Sequence, residues 1–234
     1  MSHDEPLIRL RQVTRVYQEG SLEVLALRGV DLDVQKGEFT ALAGPSGSGK
    51  TTLLNIIGVL DHPTSGKVRV AGRDIGTLDR GDAADFRLAH VGFIFQAYNL
   101  VPVLTAEENA EFTLLLRGVP ARERREKVMP LLERVGLAEM KDRKPHELSG
   151  GQQQRVAVVR ALATDPAIVL ADEPTANLDS ETSAGLLDLM QELNGEFKTT
   201  FLFSTHDQVV IDRARKVVRL QDGRVASAGP EGGS

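Results

Sequence analysis

Apolar residues enter this chain in short blocks, and the spacing inside the blocks changes from one to the next. Val30-Asp31-Leu32-Asp33-Val34 alternates with period two, the pattern of a half-solvated antiparallel strand, and strands are read over 7–17 and 25–34. The blocks at 39–43, 91–95, 167–171 and 199–204 are near-continuous apolar runs instead, as buried strands are. Helical spacing appears at 53–57 and again over 107–117 and 121–135, where charged faces accompany it and Gly118 and Gly136 punctuate it. It returns over 156–163 and, as an amphipathic helix, over 180–193. Turn formers at Asp61-His62-Pro63-Thr64-Ser65-Gly66 precede an edge strand at 68–70. A hairpin over Asp222-Gly223 joins 216–220 to 224–226, and 229–234 is read as a flexible tail. The mixed-sign run 122–127 is a solvated helix face.

Composition narrows the classes open to such a chain. With 41% hydrophobic and 26% charged residues over 234 positions, it has the makings of a real core. A net charge of −5 supplies no basic field for nucleic acid, and 4% aromatics without Trp leave no base-stacking platform. No apolar run approaches the roughly 20 residues that cross a bilayer. The polar, acidic start at 1–6 is not expected to be a signal peptide. Zero cysteines exclude disulfides and thiol chemistry and suit a cytosolic setting.

The candidate chemistry gathers where apolar runs end. Gly44-Pro45-Ser46-Gly47-Ser48-Gly49-Lys50-Thr51-Thr52 lies between a buried strand and a helix, the context that a phosphate-binding loop needs. Its glycines let consecutive N–H groups point at one anion, and the helix starting near Gly49 adds its positive dipole end. Lys50 would reach the β- and γ-phosphates, and the Thr51 hydroxyl would bind Mg²⁺. A chance match in a chain of this length is about one in a hundred at average composition, and the flanks make a merely tight turn the poorer reading. The run 167–171 ends in Asp172-Glu173-Pro174, two carboxylates at the strand edge where α/β folds place chemistry. Asp172 would hold Mg²⁺, and Glu173 would polarise the water that attacks the γ-phosphate. The run 199–204 ends in Thr205-His206-Asp207. A lone His at a strand end is usually structural, but this one falls at the same edge as the carboxylates, which favours a γ-phosphate contact. Last, Leu148-Ser149-Gly150-Gly151-Gln152 opens the helix at 156–163, with Ser149 placed as N-cap and two glycines leaving N–H groups uncovered. That makes a second anion site, although Ser-Gly-Gly is also an ordinary way to begin a helix.

In this order the set resembles the ATP-binding cassette (ABC) ATPases, and the resemblance covers nearly the whole chain. Residues 44–51 look like Walker A, 168–172 like Walker B with Glu173 as catalytic base, Gln96 like the Q-loop, 148–152 like the signature, 176–179 like the D-loop and His206 like the switch histidine. Tyr17 falls where that family stacks an aromatic on adenine; an edge-strand aromatic packed on the sheet is its alternative. Leu170-Ala171-Asp172-Glu173-Pro174-Thr175, Phe93-Ile94-Phe95-Gln96 with Asn99-Leu100, and 148–155 are similar to the lipoprotein-releasing (LolD) and macrolide-export (MacB) ATPases. Val59 and Ala176 depart from that group's usual residues without touching the chemistry.

The resemblance implies an α/β fold, a P-loop NTPase (RecA-like) core carrying an antiparallel β subdomain and an inserted α-helical subdomain. It implies one domain over 1–234, with 1–96 and 162–228 as nucleotide-binding core and 97–161 as the helical insert. It implies ATP and Mg²⁺ as cofactors, the metal on Thr51, Gln96 and Asp172. Glu173, His206, Gln96 and Lys50 would be catalytic. Tyr17, the residues Gly44 to Thr52, and Ser149, Gly150, Gly151, Gln152 and Asp179 would hold nucleotide. The family works as head-to-tail dimers closed by ATP, one chain's Walker loop facing the other's signature, on the cytoplasmic face of the inner membrane. The function implied is therefore ATP hydrolysis driving a separate integral membrane permease of the LolCDE/MacB type, for lipoprotein, antimicrobial peptide or drug export, with no nucleic acid bound and no direct insertion into the bilayer. The apolar loop 98–104 falls where the family receives its permease, with a place in the core as the alternative. A soluble ABC ATPase of an assembly scaffold is the rival function.

Overall fold

The computed structural model describes residues 5–229. Two sheets divide the strands. β1 (Ile8–Glu19) and β2 (Leu22–Val34) form a long antiparallel hairpin in which Ile8 faces Val34. β4 (Ser65–Val70) joins the other edge of β1, and the two-residue β5 (Arg73–Asp74) joins β4, giving the order β2-β1-β4-β5. The second sheet contains β3 (Phe39–Ala43), β6 (Val91–Phe95), β7 (Ile168–Asp172), β8 (Thr200–Thr205), β9 (Lys216–Gln221) and β10 (Arg224–Gly229). Its order is β10-β9-β3-β8-β7-β6, parallel except for the closing β9–β10 hairpin.

The apolar runs are continuous because the parallel sheet is covered on both faces. Phe39, Ala41, Val169, Ala171, Phe201 and Phe203 point to one core, and Leu42, Ile168, Leu170, Leu202 and Val218 point to the other. Against the first face pack α5 (Gly150–Leu162) and α6 (Ser180–Phe197), with α3 (Ala106–Leu116) and α4 (Ala121–Arg134) extending the same core. Against the second lie the antiparallel sheet, α1 (Lys50–Ile57) and α2 (Arg80–His90). A one-turn α7 (Gln208–Ile211) follows β8. Phe39 anchors the first core, its ring 5.7 Å from that of Phe201 and 4.8 Å from that of Phe203.

Register then aligns the strand ends. Ala43 pairs with Thr205, Phe95 with Asp172, and Asp172 with Ser204, so the turns after β3, β6, β7 and β8 open on one edge of the sheet.

Several elements differ from the expected bounds. The first two strands run further at the hairpin end, and β4 begins at Ser65 because Ser65 pairs with Thr14. α6 continues to Phe197, where Lys198 at φ 56° takes the left-handed stop that glycine usually supplies. The run 80–90 carried no expected element. Its helix buries only Ala83 and Phe86, too thin an apolar stripe to read. Residues 230–234 of the expected flexible tail, and residues 1–4 of the polar start, lie outside the described residues. Among the described residues no helix is long and apolar enough to cross a membrane.

Candidate functional site

The loop between β3 and α1 is closed by contacts that only glycine allows. A Cβ on Gly44 would stand 2.2 Å from the Leu220 carbonyl oxygen, and one on Gly49, at φ 102°, would stand 2.8 Å from the Ala26 carbonyl oxygen. Gly49 caps α1 without a side chain, so the first N–H groups of the helix lack that partner. Lys50 is 6% exposed, and its Nζ donates to the carbonyls of Gly44 (2.8 Å) and Pro45 (3.0 Å), which folds the amine over the mouth of the loop. The buried Ser48 hydroxyl has no hydrogen-bond partner. An orphaned hydroxyl and a held ammonium in one glycine-rich turn fit a phosphate.

Across from this loop, the Thr51 hydroxyl donates to Asp172 Oδ1 at 3.2 Å, and the Ser204 hydroxyl donates to the same oxygen at 2.5 Å. Ser204 also accepts the Glu173 backbone N–H at 3.0 Å. Glu173 itself sits at φ 46°, left-handed for a non-glycine residue, a strain that proteins hold at sites where the geometry is used. His206 Nδ1 lies 3.0 Å from Glu173 Oε1, with the ring mostly in solvent and the carboxylate largely shielded. Pro45, Ser46, Thr51, Gln96, Asp172, Glu173 and His206 line one cleft of about 400 Å³. A larger cavity of about 930 Å³ lies at the opposite sheet edge, around Lys36, His90 and Thr199, away from every one of these groups.

A hydroxyl, an amide and one carboxylate are hard oxygen donors, too few to cage a cation alone. Among the described residues no group of three or more His, Asp or Glu side chains could do so either. That donor set suits a small divalent cation completed by phosphate oxygens.

The other expected site residues lie outside this cleft. Ser149 and Gln152 spend their side chains on each other's backbone: Ser149 Oγ accepts from the Gln152 N–H at 3.3 Å, and Gln152 Oε1 accepts from the Ser149 N–H at 2.9 Å. This capping box starts α5 and leaves its first glycines to present backbone alone. Gly150 abuts Tyr98, whose hydroxyl would be 2.7 Å from an added Cβ, and Gly151 abuts Thr182. Asp179 caps α6, where bonds from the Thr182 hydroxyl and backbone N–H hold its carboxyl below the usual carboxylate range. The Tyr17 ring carries the Arg15 guanidinium 4.5 Å from its centroid, and its hydroxyl donates to Asp61 at 2.7 Å. In the loop after Gln96, Leu100 packs on the helical core while Val103 is 71% exposed.

Three contributors were not among the expected site residues. Ser204 ends an apolar run, and only strand register shows that it faces Asp172. Buried Gln154 donates to the Pro174 carbonyl at 2.7 Å, and Asn177 donates to the Gln96 carbonyl at 2.9 Å. Gln154 and Asn177 fall inside the stretches 148–155 and 176–179 that carry the resemblance, and polarity is the signal of each residue itself: an amide inside an apolar helix, and an amide in a short loop.

Known proteins resemble this chain in sequence and in fold. The family described as ABC transporter matches residues 27–176. The chain is 49% identical over 222 residues to the macrolide export ATP-binding/permease protein MacB of Hyphomonas neptunium, covering 95% of this chain and 34% of that protein. It is 46% identical to an uncharacterized ABC transporter ATP-binding protein of Thermotoga maritima, covering 94% of this chain and 93% of that one. It is 44% identical to the lipoprotein-releasing system ATP-binding protein LolD of Pseudoalteromonas translucida, covering 94% of each. The chain thus spans about a third of the MacB relative (34%) and nearly all of the other two. A dimeric post-hydrolysis structure of the cassette MJ0796 bound to ADP and Pi superposes with a TM-score of 0.88 at 41% identity, covering 97% of this chain and all of that one.

Proposed function

This chain belongs to the ABC transporter ATP-binding family, and on that premise we propose that it hydrolyses MgATP as a head-to-tail dimer that drives a separate membrane permease of the LolCDE/MacB type. The observation that carries the hydrolytic part is the meeting of Lys50, Thr51, Gln96, Asp172, Glu173 and His206 at one sheet edge, around an orphaned hydroxyl and a glycine-closed turn. Lys50, already aimed at the loop mouth, exchanges loop carbonyls for phosphate oxygens. Thr51, Asp172 and Gln96 would hold Mg²⁺, which would neutralise charge developing on the phosphates. Glu173 orients a water and takes its proton, with its carboxylate fixed by His206 on one side and its backbone by Ser204 on the other.

The dimer is favoured by what the cleft omits: Ser149, Gly150, Gly151 and Gln152 do not line it, so a second copy is needed to bring that helix start to the nucleotide. The dimeric cassette MJ0796 supports the same reading. Coupling to a permease at the cytoplasmic face of the inner membrane, rather than service on an assembly scaffold, is favoured by relatives named for macrolide export and lipoprotein release. The exposed Val103 after Gln96 is the apolar group that a permease would meet.

Glu173→Gln tests the hydrolytic reading. The swap keeps shape and removes the base, so ATP hydrolysis should fall at least about 10²-fold while ATP still binds. Near-normal turnover in a phosphate-release assay would remove Glu173 from the role.

A further inference from the structure

The turn after β6 closes on two backbone bonds, from the Tyr98 N–H to the Phe95 carbonyl at 3.2 Å and from the Asn99 N–H to the Ala97 carbonyl at 2.5 Å, and three side chains from elsewhere hold it besides. Tyr98 and Asn99 both lie in the left-handed region, at φ 57° and 51°, a conformation that costs Tyr98 more than Asn99. Arg160 of α5 donates to both of their carbonyls, at 2.9 and 2.5 Å. Gln154 of α5, fully buried, reaches the Phe95 carbonyl at 3.4 Å as well as that of Pro174. Both ends of the turn are thus fastened to one buried helix. The middle is fastened differently. The Gln96 carbonyl accepts from Asn177 Nδ2 at 2.9 Å, and Asn177 is an exposed residue four positions after Glu173. The amide must face this way, since its oxygen turned toward the carbonyl would repel it.

We propose that Asn177 is the positioning residue for Gln96: its one hydrogen bond sets the backbone that aims Gln96 into the cleft and ties it to the segment following Glu173. The inference rests on the assignment of the cleft to MgATP. Asn177 touches no reacting group and does not line the cleft, so it acts through Gln96. A change in either loop is carried to the other through this bond, because Gln154 and Arg160 keep the ends of the turn from moving with it.

The test replaces Asn177 with Asp, which keeps the shape and loses the donor. In the full-length, cysteine-free chain, Ala97→Cys accepts a spin label on an exposed turn residue. Without nucleotide, the aspartate variant should give a more mobile label at an unchanged melting temperature, and Asn177→His, which restores an N–H donor, should return the mobility to that of the parent. Separately, in the unlabelled chain, the Mg²⁺ concentration for half-maximal hydrolysis should rise about three- to tenfold, the scale of one lost hydrogen bond, with Mg²⁺-free ATP affinity unchanged. If the aspartate variant fails to fold, Asn177→Ala removes the same donor. Gln96→Ala serves as the reference. Where it shifts the Mg²⁺ requirement and the Asn177 variant shifts neither that nor the label, the positioning role is overturned. Where Gln96→Ala leaves the Mg²⁺ requirement alone, the reading of the cleft fails instead, and the label mobility still decides whether Asn177 holds the turn.

Discussion

Ser204 brings no nucleophile and no charge, yet Asp172 and Glu173 both depend on it. One hydroxyl donates to the Asp172 carboxylate and accepts the Glu173 N–H, pinning a carboxylate pair whose second member is backbone-strained. Ser204→Ala should therefore lower kcat about tenfold with little change in KM for ATP, since one charged hydrogen bond is worth about 1.5–3 kcal/mol and not all of it bears on the transition state. A parallel rise in KM would mean that Ser204 serves binding. Tyr17 presents the opposite case, a residue legible from its place in the motif order and engaged in the structure with its own neighbours. If its face also receives the base, Tyr17→Ala should weaken ATP binding by about 1–3 kcal/mol in calorimetry, while Tyr17→Phe, losing only the Asp61 bond, should not. Equal affinity in all three would leave the ring to the Arg15 contact alone. The difference in legibility is physical. Lys50, Thr51, Asp172, Glu173 and His206 stand in local patterns with their own geometry, whereas Ser204 acquires a task only when β7 and β8 pair in one register.

At the level of elements, the buried strands were readable because both sheet faces are covered, and α2 was not because it lies on the molecule with little apolar surface. Bounds failed where bonds to residues outside the element fix its end. α6 shows this through Asn194, which is 1% exposed and donates to the carbonyls of Thr199 (2.7 Å) and Gly37 (3.0 Å) while accepting from Arg215 (3.2 Å). It joins the end of the helix to the entrances of β3 and β8, at the edge opposite the cleft. Asn194→Ala should lower unfolding free energy by about 1–3 kcal/mol in urea, the range for stranding buried polar partners, and leave turnover per folded molecule unchanged. A loss of turnover without a loss of stability would connect this edge to the catalytic one.

At the scale of the whole molecule, the proposed dimer shares each nucleotide between two copies. No run of residues states the order β10-β9-β3-β8-β7-β6, and the residues lining the cleft, Ser149 not among them, follow from it. The presence of two anion-suited helix starts was legible in the residues, and their separation was implied by the resemblance, which puts Ser149 in the helical insert and Lys50 in the core. Lys50→Ala and Ser149→Arg should each be inactive, the first by losing the phosphate cation and the second by putting bulk where phosphate sits. Mixed, they form hybrid dimers in which one site holds both defects and the other holds neither. The measurement is made on that mixture with a single cysteine beside residue 46 on one variant and beside residue 149 on the other, added to a sequence that has none. With nucleotide shared between two copies, MgATP promotes an inter-chain disulfide and part of the ATPase activity returns; a mixture that yields neither cross-link nor activity excludes the shared site.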